Sequence, residues 1–340
     1  MKISLLCPTN RKSVSSYARI CELLSLDPKY FEVIIRDNSE NEHKHQFLES
    51  LKISNHKILI VKNRGVTENF SEIAKLATGD FLFFIADDDW FFKSGMDMLH
   101  QLAVASNENK TLTALTGTYL VSSSRGIGSI SYSGLDSDNP LSRMQGYLNV
   151  GPNLLYYSAY KKNVFHLSWS LLEKLPYAFC HADLLFVIPA LVLGNIASVK
   201  TLCYQWDFGE WEGADKAMGK RAGICQAAGL PKEFSVLDKL LTAIEGALLI
   251  NSKLLGNYVR YNRSEMASLW LKNFFMQYQG CPFQNHFPDS EEKNRVAQFR
   301  SKLFSIGNIT LEGLLKEVTE LFSQVDPAGA KKYFKFWSKI

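Results

Sequence analysis

The sequence predicts an α/β protein, a mostly parallel sheet flanked by helices, followed by an all-helical C-terminal region. Three observations carry this. Short aromatic and β-branched runs alternate with helix-spaced segments through the first 90 residues, each run stops on polar residues, and beyond about residue 231 the apolar positions follow only the helical period.

Residues 3–7, Ile-Ser-Leu-Leu-Cys, read as a first strand that Pro8 is expected to halt. Over 13–24, Val14, Tyr17, Cys21 and Leu24 have helical spacing. Residues 31–36 form a second strand ending at Asp37-Asn38-Ser39, and 57–61 a third ending at Asn63-Arg64-Gly65. A helix over about 67–76 closes on Ala77-Thr78-Gly79-Asp80, and the wholly apolar 81–86 is a buried central strand that ends in Asp87-Asp88-Asp89. Further strands are expected at 112–118 and 196–203, with a polar loop or hairpin over 122–139. From about Pro231 the pattern changes. Ser235 with Asp238 resembles a capping box, and Val236, Leu237, Leu240, Leu241, Ile244 and Leu248 lie on one helical face. Similar stretches begin near Ser264, Ser290 and Thr310, which divides the chain into 1–225 and a helical region 231–340.

Composition excludes several classes. A chain of 340 residues exceeds the usual single core, so one large domain with an appendage, or two domains, is expected. Apolar residues at 46% and charged residues at 21%, with no Pro-, Gly- or Ser-rich tract, exclude disorder as the main state. A net charge of +4 without a basic cluster gives no reason to expect a nucleic-acid partner. The six cysteines are scattered without a C-x-x-C pair, which signals neither a zinc knuckle nor a disulfide framework and fits a reducing cytoplasm. The longest apolar run, 184–194, contains Pro189 and falls well short of the roughly 20 residues of a membrane span.

Open α/β sheets bind ligands at the carboxyl ends of their strands, and Thr9, Asp37, Asn63 and Asp88 are all expected on that edge. Three adjacent carboxylates after a buried strand repel one another. Such a turn either holds a divalent cation that bridges to a diphosphate or is a solvated turn, for which Asp is a good former.

Four segments, taken in order, resemble the family 2 glycosyltransferases of the GT-A fold. They are Cys7-Pro8-Thr9-Asn10-Arg11; Arg36-Asp37-Asn38-Ser39; Asn63-Arg64-Gly65 through Asn69 to Ala77-Thr78-Gly79-Asp80; and Ala86-Asp87-Asp88-Asp89-Trp90. The resemblance covers about the first 95 residues and implies a GT-A-like nucleotide-sugar domain. It implies that Pro8, Thr9 and Arg11 line the donor pocket, that Asp37 accepts hydrogen bonds from the base or ribose with Asn63 nearby, and that Asp87 approaches the ribose or sugar. Asp88 is then the principal ligand of Mn2+ or Mg2+ and Asp89 supports it. Many relatives have Asp where this chain has Ala86.

Inverting transfer also needs a base for the acceptor hydroxyl. Relatives often supply it from a Glu-Asp pair at a helix start. His181-Ala182-Asp183 resembles that element with Ala in the Glu place, so Asp183 is the expected base, against the plainer reading of a helix cap. Residues 205–213, Gln-Trp-Asp-Phe-Gly-Glu-Trp-Glu-Gly, followed by Lys216, Lys220 and Arg221, read either as a lid over the donor or as an interdomain linker. They lack the Gln-x-x-Arg-Trp motif of processive synthases, which favours addition of a single sugar. The segment 331–340 mixes four lysines with four aromatics, as an interfacial anchor does and as a docked terminal helix also does. His43 and His45 lack partners at metal-ligand spacing and read as a solvated face.

The expected activity is therefore metal-dependent inverting transfer of one sugar from a nucleotide-diphosphate sugar, a UDP-sugar foremost, to a hydroxyl of a glycan or lipid-linked acceptor. The expected location is cytoplasmic, with peripheral contact at the inner membrane face as one reading of 331–340, and the helical region shapes the acceptor site or forms an oligomer. Two alternatives stand beside it: a sugar-phosphate nucleotidyltransferase, which would be expected to carry a Gly-rich phosphate loop absent here before Gly65, and a non-catalytic nucleotide- or carbohydrate-binding module.

Overall fold

The computed structural model describes residues 1–11, 15–51, 56–61, 66–150, 153–176, 182–227, 234–258, 263–277 and 310–339, which fall into two compact units. The first unit comprises residues 1–138, 152–169 and 193–209. It runs β1 (Ile3–Thr9), α1 (Ser15–Leu24), β2 (Phe31–Asp37), α2 (Glu42–Ser50), β3 (Lys57–Ile60), α3 (Val66–Lys75), β4 (Phe81–Phe84), β5 (Trp90–Phe91), α4 (Lys93–Ala105), β6 (Leu112–Ser123), β7 (Gly126–Ile130), β8 (Ala159–Lys161) and β9 (Asn195–Asp207). The strands form one mixed sheet in the order β3-β2-β1-β4-β8-β6-β9-β5, with β7 on β6. β1 to β4 are mutually parallel, β8 is antiparallel to both β4 and β6, and β9 returns parallel to β6. The apolar runs of β1, β2 and β4 are buried because helices cover a parallel sheet on both faces.

Pro8 does not halt the first strand, which continues to Thr9. The Asn38 N–H donates to the Thr9 carbonyl at 2.9 Å, so alternate residues of β1 face β2 and Pro8 faces the other side. There, pairing with β4 has already ended at Leu6, so the missing N–H leaves no ladder bond unmade. The polar stretch after 122 resolves into a hairpin, Ser123 pairing with Gly126, whose φ of 121° suits glycine. Ala77-Thr78-Gly79-Asp80 closes the far end of the sheet: Thr78 donates to Glu32 from its N–H (2.7 Å) and its hydroxyl (2.9 Å), and the Gly79 N–H donates to Ser4 Oγ at 2.9 Å.

α4 lies on β9 so closely that a Cβ at Gly95 would overlap the Leu202 carbonyl oxygen and approach Cys203 Cα to 2.7 Å. Backbone cannot yield as a side chain can. Gly95→Ala is therefore expected to lower stability by about 1–3 kcal/mol, as overpacking does, read as a lower denaturant midpoint at an unchanged slope.

The second unit comprises residues 139–151, 170–192 and 210–340. Its helices are α5 (Pro140–Leu148), the end of α6 (Lys162–Lys174), α7 (Ala182–Phe186), α8 (Ile188–Leu193), α9 (Ala214–Ala227), α10 (Phe234–Asn251), α11 (Arg263–Gln277), α12 (Leu311–Ser323) and α13 (Pro327–Trp337). Helix is thus reached before residue 231. The stretch read as a lid or linker is the end of β9, a 3-10 turn at Phe208–Glu210 and the start of α9. Buried Arg143 donates to the carbonyls of Leu191 (2.8 Å) and Val192 (3.1 Å), and buried Trp270 donates to the Ala243 carbonyl at 2.9 Å. Thr310 caps α12 and Asp326 caps α13. Of the C-terminal aromatics, Tyr333 and Trp337 are buried, while Lys331, Lys332, Lys335 and Lys339 are exposed. Among the described residues no helix is long and apolar enough to cross a membrane, and Ser290 lies outside them.

Candidate active site at the carboxyl edge of the parallel strands

Register places Thr9 of β1 opposite Asp37 of β2, and Ile85, just past β4, donates its N–H to the Leu6 carbonyl at 2.9 Å, which carries Asp87 to the same edge. Between them sits Lys44, a side chain of α2 with no solvent exposure. Its ammonium donates to Thr9 Oγ1 (2.6 Å) and the Arg11 carbonyl (2.8 Å), pairs with Asp37 Oδ1 at 2.8 Å, and lies 3.6 Å from Asp87 Oδ2. Thr9 in turn donates a hydrogen bond to Asp87 Oδ2. Arg11 completes the chain: Nε is 3.2 Å from Asp87 Oδ1, and a terminal nitrogen is 2.5 Å from Asp88 Oδ2. Pro8, next to Thr9 in β1, is half-buried.

Asp37 is fully buried, with its second oxygen accepting from Ser39 Oγ (2.8 Å) and lying 3.1 Å from His45 Nε2. His45 therefore does not belong to a solvated face; only His43 is exposed. Buried Arg36 and Asn69 of α3 brace the end of β2, Arg36 donating to Asn69 Oδ1 at 2.6 Å.

The three aspartates of the turn differ in environment. Asp87 is buried against Lys44 and Arg11. Asp88 keeps 34% of its side chain exposed beside Arg11. Asp89 is buried, accepting from the Tyr204 hydroxyl (2.6 Å) and the Asp207 N–H (3.2 Å). Burial, and then the neighbouring Asp88 charge, push Asp89 up to about 7. Asp87 and Asp88 face the side chains of Lys44 and Arg11, whereas Asp89 faces Tyr204. Burial and the Asp87 charge raise the Cys7 thiol well above its ordinary range, which leaves it protonated and unreactive.

Thr9, Arg11, Asp37, Asp87 and Asp88 are accordingly brought into one connected group, with Asp89 beside it facing β9. Asn63 and His181 lie outside the described residues. Asp183 is half-buried in the first turn of α7, in the second unit. Among the described residues no three acidic, histidine or cysteine side chains converge as a metal-ligand cluster. Reading of the sequence missed Lys44, His45 and Tyr204. Lys44 did carry a signal, because it lies one turn before buried Leu48 on the inward stripe of α2, where a lysine needs a carboxylate.

Residues 14–127, which include Asp37, Lys44 and the acidic turn, match the family model described as Glycosyl transferase family 2. Comparison with curated protein sequences finds no match. Among solved structures, that of S. aureus TarS 1–349 in complex with UDP-GlcNAc is similar at a TM-score of 0.56 and 16% identity, covering 100% of this chain and 91% of that one. TarS 1–349 without a named ligand gives 0.52 at 15% identity over the same shares. A longer TarS chain gives 0.52 at 15% identity, with 55% of its length covered. At these identities the likeness is one of fold. Residues 14–127 thus resemble glycosyltransferase family 2, and the chain has a GT-A-like α/β fold with a helical C-terminal region.

Proposed function

We propose that this protein transfers a single sugar from a nucleotide-diphosphate sugar, a UDP-sugar foremost, to a hydroxyl of a glycan or lipid-linked acceptor, with inversion and with Mn2+ or Mg2+. The observation that carries the reading is the connected group Asp37–Lys44–Thr9–Asp87–Arg11–Asp88 at the carboxyl edge, inside or beside the family-matched stretch. The UDP-GlcNAc complex of the TarS fragment supports placing UDP first.

In this reading Asp37 organises the nucleoside end through the Lys44 and His45 that it holds. Mg2+ and Mn2+ commonly take one or two protein carboxylates and complete their shell from substrate phosphates. The turn fits that pattern, since Asp88 offers a half-exposed carboxylate while both Asp89 oxygens are turned toward β9. When bound, such a cation stabilises charge on the leaving diphosphate. Arg11 moves from Asp88 to the phosphate oxygens, which its planar fork can meet bidentately. Asp183 takes the proton of the acceptor hydroxyl as it attacks the anomeric carbon.

The test is thermal unfolding of wild type and Asp88→Asn with UDP, GDP, dTDP or CMP, each with Mn2+ and with EDTA. A ligand at about 100 times its Kd adds roughly 2.7 kcal/mol, a shift of a few degrees. A shift for one nucleotide that needs both Mn2+ and Asp88 is expected. No shift with any nucleotide overturns the reading.

A further inference from the structure

One residue beyond the acidic turn, Trp90 keeps 41% of its surface exposed, whereas Trp270 and Trp337 are buried and Trp169, Trp206 and Trp211 are half-buried. It borders a cleft of about 310 Å³ lined by Glu22 and Ser25, Trp90 and Phe91, and Phe92, Lys93 and Gln205. That volume is at the small end of ligand pockets, roughly 300–1,000 Å³. We propose that this cleft binds a saccharide, namely part of the acceptor, with Trp90 as its platform. The identification as acceptor rests on the reading above; the binding itself does not.

The platform is pre-set. Trp90 pairs through its backbone with Gln205 of β9, the residue after the Tyr204 that holds Asp89, so the wall of the cleft and the turn share one support. The Arg19 guanidinium stacks on the indole and pairs with Glu22 at 3.6 Å, which fixes the ring in place. The remaining chemistry suits a neutral, hydroxyl-rich ligand with an apolar face. Carboxylate, amide, hydroxyl and ammonium groups from Glu22, Gln205, Ser25 and Lys93 surround aromatic surface, and their opposite charges select neither a cation nor an anion. A peptide strand is disfavoured because β5, at two residues, is too short a template for strand addition.

The experiment uses the full chain labelled with 5-fluorotryptophan, the Trp90 resonance being assigned with Trp90→Phe. Methyl glycosides of glucose, galactose, mannose and N-acetylglucosamine are titrated separately, with glycerol as a hydroxyl control, and UDP binding with Mn2+ is measured by calorimetry on the same sample. A saturable movement of the Trp90 resonance with at least one glycoside and not with glycerol is expected, weakened about tenfold by Glu22→Gln or Gln205→Ala. A resonance unmoved by every glycoside, moved equally by glycerol, or indifferent to both substitutions overturns the proposal. UDP binding without a sugar response rejects this cleft alone. A sugar response without UDP binding supports the cleft and rejects the donor reading.

Discussion

Lys44→Met is expected to cost about 3–5 kcal/mol of stability and to remove nucleotide binding from whatever fraction remains folded. The ammonium is wholly buried and is the common partner of Asp37 and Asp87, so its loss leaves Asp37 as a buried carboxylate facing a methyl group. Asp87 retains Thr9 and Arg11, which makes Asp37 the larger source of the cost. The double variant Lys44→Met with Asp37→Asn removes both charges and is expected to recover much of the lost stability while nucleotide affinity stays low. Chemical denaturation gives the coupling between the two substitutions, and calorimetry with UDP gives the binding. A single variant that unfolds at the wild-type midpoint would show that the carboxylates do not need this cation.

Asp183→Asn should act on the other half of the reaction. Removing a positioned base costs typically 10²–10⁴-fold, so kcat is expected to fall by about that factor while the Kd for UDP and the unfolding midpoint stay at wild-type values. Asn is the same size and sits as well in the first turn of α7, so a purely structural Asp183 predicts no change in kcat. Single-turnover transfer measured at saturating donor separates the two roles. A rate within about twofold of wild type removes Asp183 from the chemistry and leaves it a first-turn acidic residue of α7.

These two sites were not equally legible. Thr9, Asp37 and Asp87-Asp88 stand where apolar runs stop, and a parallel sheet places all such stops on one edge, so order along the chain was enough to assemble them. Lys44 reaches that edge from the side of a helix, and Tyr204 comes from a strand 115 residues after the aspartate it holds. Tyr204 is marked by no local pattern, and Lys44 only by its place on the inward stripe of α2. The extent of β1 was misjudged because Pro8 breaks a ladder only on a side that has a partner, a fact of neighbouring strands rather than of sequence. β8 went unseen for a related reason: three residues, Ala159 to Lys161, are too few to show any period.

That short strand has a consequence for how the chain is assembled during synthesis. Tyr160 stands opposite Leu82 on one side and Ala114 on the other, so β8 is the seam between the parallel quartet of residues 3–84 and the strands of residues 112–207. Until residue 161 has left the ribosome, β4 and β6 each present an open backbone edge, the kind of edge that recruits foreign strands. A nascent chain arrested near residue 150 would carry the acidic turn and most of the carboxyl edge of the parallel strands yet lack its seam, leaving those backbone edges open.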